Sequence, residues 1–249
     1  MHLTRIETCQ ERKAFYGLMR YNEPSKTYKG PHMPKFSAIL FDLDGTLANP
    51  KEGITKCIQF ALTQLDIQPP EADKLVWCIG PPLRESFSRL LNTIDEKKVE
   101  QALLEYRRRY TEIGMYENEL YPDIIPILEN IQSAEYDIFL ATSKPRMYAK
   151  KILEHFHISR FFTGIHGSEL NGHLTDKQEL IAHILDCEKI NCKAALMVGD
   201  RSHDIVGGKK NGLMTAAVTY GYGSLEEITK AMPDMILNTP KDLETFLLP

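Results

Sequence analysis

From residue 35 onward, the apolar positions fall into two alternating patterns. The short runs "FSAILF", "YDIFLA", "AALMV", "MTAAVT" and "DMIL" read as buried strands. Between the second and fourth, apolar residues recur at helical spacing over about Arg146 to His155 and Lys177 to Cys187, with a further helix after Asp204. That last helix carries an Asn-Gly stop in "DIVGGKKNG". Strands that alternate with helices predict an α/β fold, a parallel sheet with helices on both faces.

From about Glu52 to Glu119 the alternation breaks. "ITKCIQFALTQL", "PLRESFSRLL" and "KKVEQALLEYRRRY" are amphipathic and show no strand pattern. The interval is too long for one crossover helix, so residues 52–119 are expected to form an inserted all-helical cap domain, with 35–51 and 120–249 making the core. Its place after the first strand lets it close over the carboxyl ends of the strands, where open α/β sheets gather ligands. Residues 1–34 read as an N-terminal extension that ends in turn-forming residues around Gly30, Pro31 and Pro34. It has an amphipathic stretch from about Glu7 to Tyr21, and Met33 offers an alternative start.

Composition narrows the partners. With 43% hydrophobic and 26% charged residues the chain has an ordinary globular balance. A net charge of −4 gives no general attraction to nucleic acid or to an anionic membrane, so an anionic ligand has to be held locally. The "YRRRY" run on a cap helix accordingly reads as a solvated face. Cys9, Cys57, Cys78, Cys187 and Cys192 are scattered without a CxxC pair, which points away from a disulfide framework or zinc site and fits a cytoplasmic protein. No apolar run approaches the ~18 residues of a membrane span.

The reactive groups sit at the predicted strand ends. "FDLDGT" places Asp42 and Asp44 directly after the first strand. Crowded carboxylates repel each other and are costly to desolvate, so this pattern calls for a cation. "GDRSHD" adds Asp200 and Asp204, and with Asp42 they offer the hard oxygen ligands that Mg2+ prefers. A carboxylate beside such an ion can attack phosphorus and form an aspartyl-phosphate, which makes Asp42 the candidate nucleophile. Asp44 is the candidate general acid for the leaving oxygen and then the base for water. Asp204 is also suited to cap the following helix. His203 is not assigned to the metal, because a hard-oxygen site has no need of imidazole.

A bound phosphate needs donors. Gly45 and Thr46 are expected to turn backbone N–H groups toward it, and Gly199 to let the backbone approach closely before Asp200. Thr142 ends the "YDIFLAT" strand with a hydroxyl, and Ser143, expected at the entry to the next helix, is the alternative donor. Lys177 in "LTDKQELI" supplies a balancing positive charge. Arg84, after the stiff Gly80-Pro81-Pro82 turn, would pair with a substrate carboxylate or second phosphate, or else face solvent.

"DLDGT", a Thr/Ser ending a strand, a Lys opening a helix and "GDRSHD" resemble in order and spacing the four motifs of the haloacid dehalogenase superfamily of phosphatases, from about Lys35 to the C-terminus. The resemblance implies a Rossmann-like core with a C1-type cap and a small phosphorylated metabolite as substrate. It also implies Mg2+ held by Asp42, the Asp44 backbone carbonyl and Asp200. "CIGPPLRESF", "ATSKP", "MVGDRSHDIVGGKKNG" and "GYGSLEEI" look most like the phosphoglycolate phosphatase group. A nucleoside monophosphate phosphatase (5'-nucleotidase) or a sugar phosphomutase of the same superfamily would share the core residues. The alternative from another class is a non-catalytic interaction protein on the same scaffold.

Overall fold

A computed structural model describes residues 36–248 of the chain. The expected strands appear among β1 (Ala38–Phe41), β2 (Ala48–Asn49), β3 (Glu119–Leu120), β4 (Asp137–Pro145), β5 (Gly164–Ser168), β6 (Ala195–Gly199), β7 (Met214–Val218) and β8 (Met235–Leu237). Six of them pair in parallel in the order β5-β4-β1-β6-β7-β8, and β2 pairs with β3 antiparallel. The five apolar runs supply five of the six sheet strands. The sixth, β5, is "GIHGS", whose two glycines give no strand signal; its extended form comes from edge pairing with β4.

Between β2 and β3 the chain is helical: α1 (Lys51–Gln64), a 3-10 turn over Ala72–Cys78, α2 (Leu83–Leu90), α3 (Glu96–Arg109) and a π-helical turn over Tyr110–Gly114. Then follow α4 (Ile124–Ser133), α5 (Arg146–His155), α6 (Lys177–Cys187), α7 (Ser202–Lys210), α8 (Leu225–Ala231) and α9 (Pro240–Leu247). α5 and α6 keep their expected bounds. α7 starts at Ser202, ahead of Asp204, because Asp204 caps from inside the first turn; it stops at Asn211, before Gly212 with φ 80°. The "YRRRY" run is less solvated than expected: Tyr106 and Tyr110 are buried, and Arg109 pairs with Glu117. No helix among the described residues is long and apolar enough to cross a membrane. The stretch Glu7 to Tyr21 and the alternative start at Met33 lie outside the described residues.

Successive side chains of a strand face opposite sides, so β1 is buried on both. Ala38 and Leu40 join Phe139, Met197 and the α6 residues Leu180 and Ile184 in one apolar cluster. Ile39 and Phe41, on the other face, are fully buried too. Register then fixes the site. Phe41 is level with Leu140 of β4 and Val198 of β6, so Asp42 and Asp200 emerge together at the carboxyl ends of β1 and β6. Thr142, expected to end its strand, lies on β4 beside them, three residues before that strand's end at Pro145.

The two ends of the helical segment are stitched together by the β2–β3 pair and by a glycine contact. A Cβ on Gly53 of α1 would overlap the carbonyl oxygen of Gly114 and stand 2.8 Å from that of Glu117. In an ordinary helix Gly→Ala gains about 1 kcal/mol. Here the obstacle is backbone, so Gly53→Ala is expected to lower stability by about 1–3 kcal/mol. A urea unfolding midpoint that stays level or rises would contradict this packing.

Candidate active site

Asp42 directly follows β1, and its backbone N–H donates to Val198 O at 3.0 Å. One carboxylate oxygen each from Asp42, Asp200 and Asp204 gather within 4.8 Å of one another, and all three residues are buried. Lys177 is the first residue of α6, behind the N-cap Asp176. Its Nζ lies 3.0 Å from Asp42 Oδ1 and 2.7 Å from Asp204 Oδ1, and it donates to Ala141 O at 2.6 Å. Asp204 caps and clusters at once: its Oδ2 accepts from Arg201 N at 3.1 Å while Oδ1 faces Lys177.

Two glycines make this crowding feasible. A Cβ on Gly199 would overlap the Asp204 carboxyl group, and one on Gly45, with φ 83°, would overlap that of Asp200. Gly199 thus admits a neighbouring carboxylate rather than the backbone approach expected of it. The turn after Asp44 also differs from expectation. The Gly45 N–H donates to Ala48 O at 2.8 Å and the Thr46 N–H to Leu43 O at 3.3 Å, so both are spent within the turn. What Thr46 keeps is a buried hydroxyl without a hydrogen-bond partner.

Thr142 is buried on β4, and its hydroxyl oxygen accepts from Lys144 N at 3.3 Å, which leaves its proton available. Ser143 is not at a helix entry, because β4 runs on to Pro145. Its hydroxyl donates to Thr175 O at 2.9 Å, so of the two Thr142 is the freer donor. Arg84 pairs with Glu96 and Glu100 of α3 and lines the cavity above the site.

Asp44 stands apart from the acidic cluster. Its Oδ2 is 2.7 Å from Lys144 Nζ, whose other partner is the Tyr110 hydroxyl at 2.6 Å. Sequence reasoning missed Lys144; the only local signal was a lysine two residues beyond the strand-ending threonine in "ATSKP". It also missed Tyr222, whose backbone N–H donates to Asp200 Oδ2 at 2.7 Å, and Arg201, which bonds both Glu227 and the carbonyl of Ile79. A cavity joins core and helical segment, lined by Asp42, Asp44, Thr142 and Lys144 below and by Tyr106 and Tyr110 above.

Burial dominates the electrostatics. It raises the pKa of Asp200 well above the usual carboxylate value, with the charges of Asp204 and Asp42 adding to the effect. Asp204 is raised by burial against the pull of Lys177, and Asp44 by burial against the pull of Lys144. Burial opposes the charge on both lysines, yet the carboxylates outweigh it and hold each above its ordinary value. Four buried carboxylates thus face two buried lysines. That excess of acidic over basic groups suits a cation. Asp200 Oδ1, buried with no hydrogen-bond partner, is a vacant donor within the cluster. The hard-oxygen set therefore fits Mg2+.

The family model for haloacid dehalogenase-like hydrolases matches residues 39–218. A 5'-nucleotidase of Pseudomonas aeruginosa is 42% identical over 199 residues, spanning 80% of this chain and 90% of that protein. A tyrosine-protein kinase PtkA of Mycobacterium tuberculosis is 33% identical over 198 residues, 80% of this chain and 67% of that one. The crystal structure of a predicted phosphatase from Clostridium acetobutylicum superposes with a TM-score of 0.82 at 38% identity, covering 86% of this chain and 99% of the other. Motif order, sheet topology and these matches agree: the chain belongs to the haloacid dehalogenase-like hydrolase family, among its phosphatases.

Proposed function

We propose that the protein hydrolyses a small phosphomonoester with Mg2+, through a phosphoryl group carried on Asp42. The observation that carries this reading is the convergence of Asp42, Asp200 and Asp204 on one point, with Lys177 beside them and Asp44 held separately by Lys144. Asp42, Asp200 and the Asp44 carbonyl would hold the ion, with Asp204 behind them, and the ion screens the repulsion between carboxylate and phosphate. Lys177 holds Asp42 in place and offsets its charge. Thr142 offers a hydroxyl to a phosphate oxygen. Asp44 protonates the leaving oxygen, then takes a proton from the attacking water.

The leaving group we favour is a nucleoside, making the substrate a nucleoside 5'-monophosphate. Identity of 42% with a protein named 5'-nucleotidase supports it. 2-Phosphoglycolate is the second reading: Arg107 borders the same cavity and suits a small carboxylate.

Phosphate release from a panel of both ester types is expected to vanish with chelator and return with Mg2+; release that survives chelation would count against the mechanism. Asp42→Asn is expected to abolish both turnover and acid-quenched phosphoenzyme, whereas Asp44→Asn should slow turnover by roughly 10²–10⁴-fold.

The raised Asp200 sets a second test. A carboxyl whose folded-state pKa lies above its unfolded value favours the fold at low pH and opposes it once pH rises through the folded value. At neutral pH the metal-free site therefore works against stability. Mg2+ at 100 times its Kd should add about 2.7 kcal/mol, a Tm rise of about 5–10 °C for a chain of this size. Asp200→Asn should be at least as stable as the metal-free protein and show no Mg2+ shift in differential scanning calorimetry.

A further inference from the structure

Lys144 is more than a counter-charge. It lies on β4, two residues past Thr142, with its side chain only 6% exposed. Its ammonium bridges two parts of the chain that are far apart in sequence, Asp44 Oδ2 at 2.7 Å and the Tyr110 hydroxyl at 2.6 Å. Burying a lysine is costly unless it is paired and hydrogen-bonded, and here both partners are fixed.

Tyr110 is fixed by its surroundings. Its ring stacks on Tyr106 at 5.2 Å and meets Tyr148 edge-on at 5.4 Å. It also opens the π-helical turn Tyr110–Gly114, which is wedged on α1 through the Gly53 contact. π-helical turns are rare and occur frequently at functional sites. Asp44 in turn has one oxygen held by Lys144, while Oδ1 is buried and has no hydrogen-bond partner.

We propose that Lys144 is the positioning residue for Asp44 and that Tyr110 is its anchor on the helical segment. Holding Oδ2 fixes the rotation of the carboxyl group and leaves Oδ1 as the oxygen that handles the proton. Because the anchor belongs to the helical segment, the acid is correctly aimed only when that segment is seated on the core.

This rests on the phosphatase reading above. In that reaction an Asp42 oxygen bonds to phosphorus as the bond to the leaving oxygen breaks. The electron pair stays on the leaving oxygen, which takes a proton from Asp44. Water then attacks phosphorus, gives a proton back to Asp44 and frees Asp42. Lys144 exchanges no proton in either half.

The test uses two esters that differ in their need for that proton. An alkyl ester, such as a nucleoside 5'-monophosphate, expels an alkoxide and needs it; p-nitrophenyl phosphate expels a stable phenolate and does not. Single-turnover rates of leaving-group release are measured for the full-length protein, Lys144→Met, Lys144→Arg and Tyr110→Phe. The ratio of alkyl-ester rate to nitrophenyl-ester rate should fall about tenfold or more in Lys144→Met, within the range that general-acid loss allows. Tyr110→Phe removes one oxygen and keeps the ring packing, so it should lower the ratio to a smaller degree, and Lys144→Arg should recover part of the loss. A ratio unchanged in both Lys144→Met and Tyr110→Phe overturns the proposal, whether the two rates fall together or not at all. Should Lys144→Met fail to fold, Tyr110→Phe alone decides. Asp42→Asn, run alongside, separates the two ideas: activity that survives it sinks the phosphatase mechanism itself, whatever Lys144 does.

Discussion

The site is organised by a charge imbalance that the fold holds in place. Parallel strands in register bring Asp42 and Asp200 to the same edge of the sheet, and the first turn of α7 adds Asp204. Left alone these carboxylates would repel, and burial makes that repulsion worse. Lys177 can reach two of them because it opens α6 directly behind the strand ends. A second lysine settles Asp44. The clustered carboxylate oxygens are of the kind that suits a divalent ion.

Glycine placement shows how closely the backbone serves this arrangement. Substituents at Gly45 and Gly199 would strike the carboxyl groups of Asp200 and Asp204. Asp200 is further pinned by the Tyr222 N–H, from the loop after β7. That loop also reaches across the turn after Asp44, where the Tyr220 hydroxyl donates to Thr46 O at 3.0 Å. Preorganised charges of this sort lower a barrier because they need not move when the reaction occurs.

What the sequence made legible was what depends on local pattern. Apolar runs marked five sheet strands, and acidic pairs placed right after two of them marked the site. Lys177 was legible because it stands at a helix start with its N-cap beside it. Lys144 was not, since its significance lies in Tyr110, which is 34 positions away and reaches it only through tertiary packing. The N–H groups of Gly45 and Thr46 were misjudged for a related reason: a turn consumes its own donors, and how many it consumes depends on whether it closes on Leu43 and Ala48. The strand β5 depends on pairing with β4 rather than on its own residues.

Two of the contacts between the helical segment and the core lie next to different carboxylates of the site. Tyr110 meets Lys144 beside Asp44, while the Ile79 carbonyl meets Arg201, the residue after Asp200. Arg201 is held in position by Glu227 at 3.0 Å, and Gly80, with φ 101°, keeps the adjoining turn close enough to its side chain for the bond to form. Both bonds have charged donors, so each contributes roughly 1.5–3 kcal/mol. Together they favour the observed packing of the helical segment on the core by a few kcal/mol, a hold of the modest size that segments closing over a site can release. The groups that order the site and those that hold the helical segment on the core are therefore partly the same, the cationic side chains of Lys144 and Arg201.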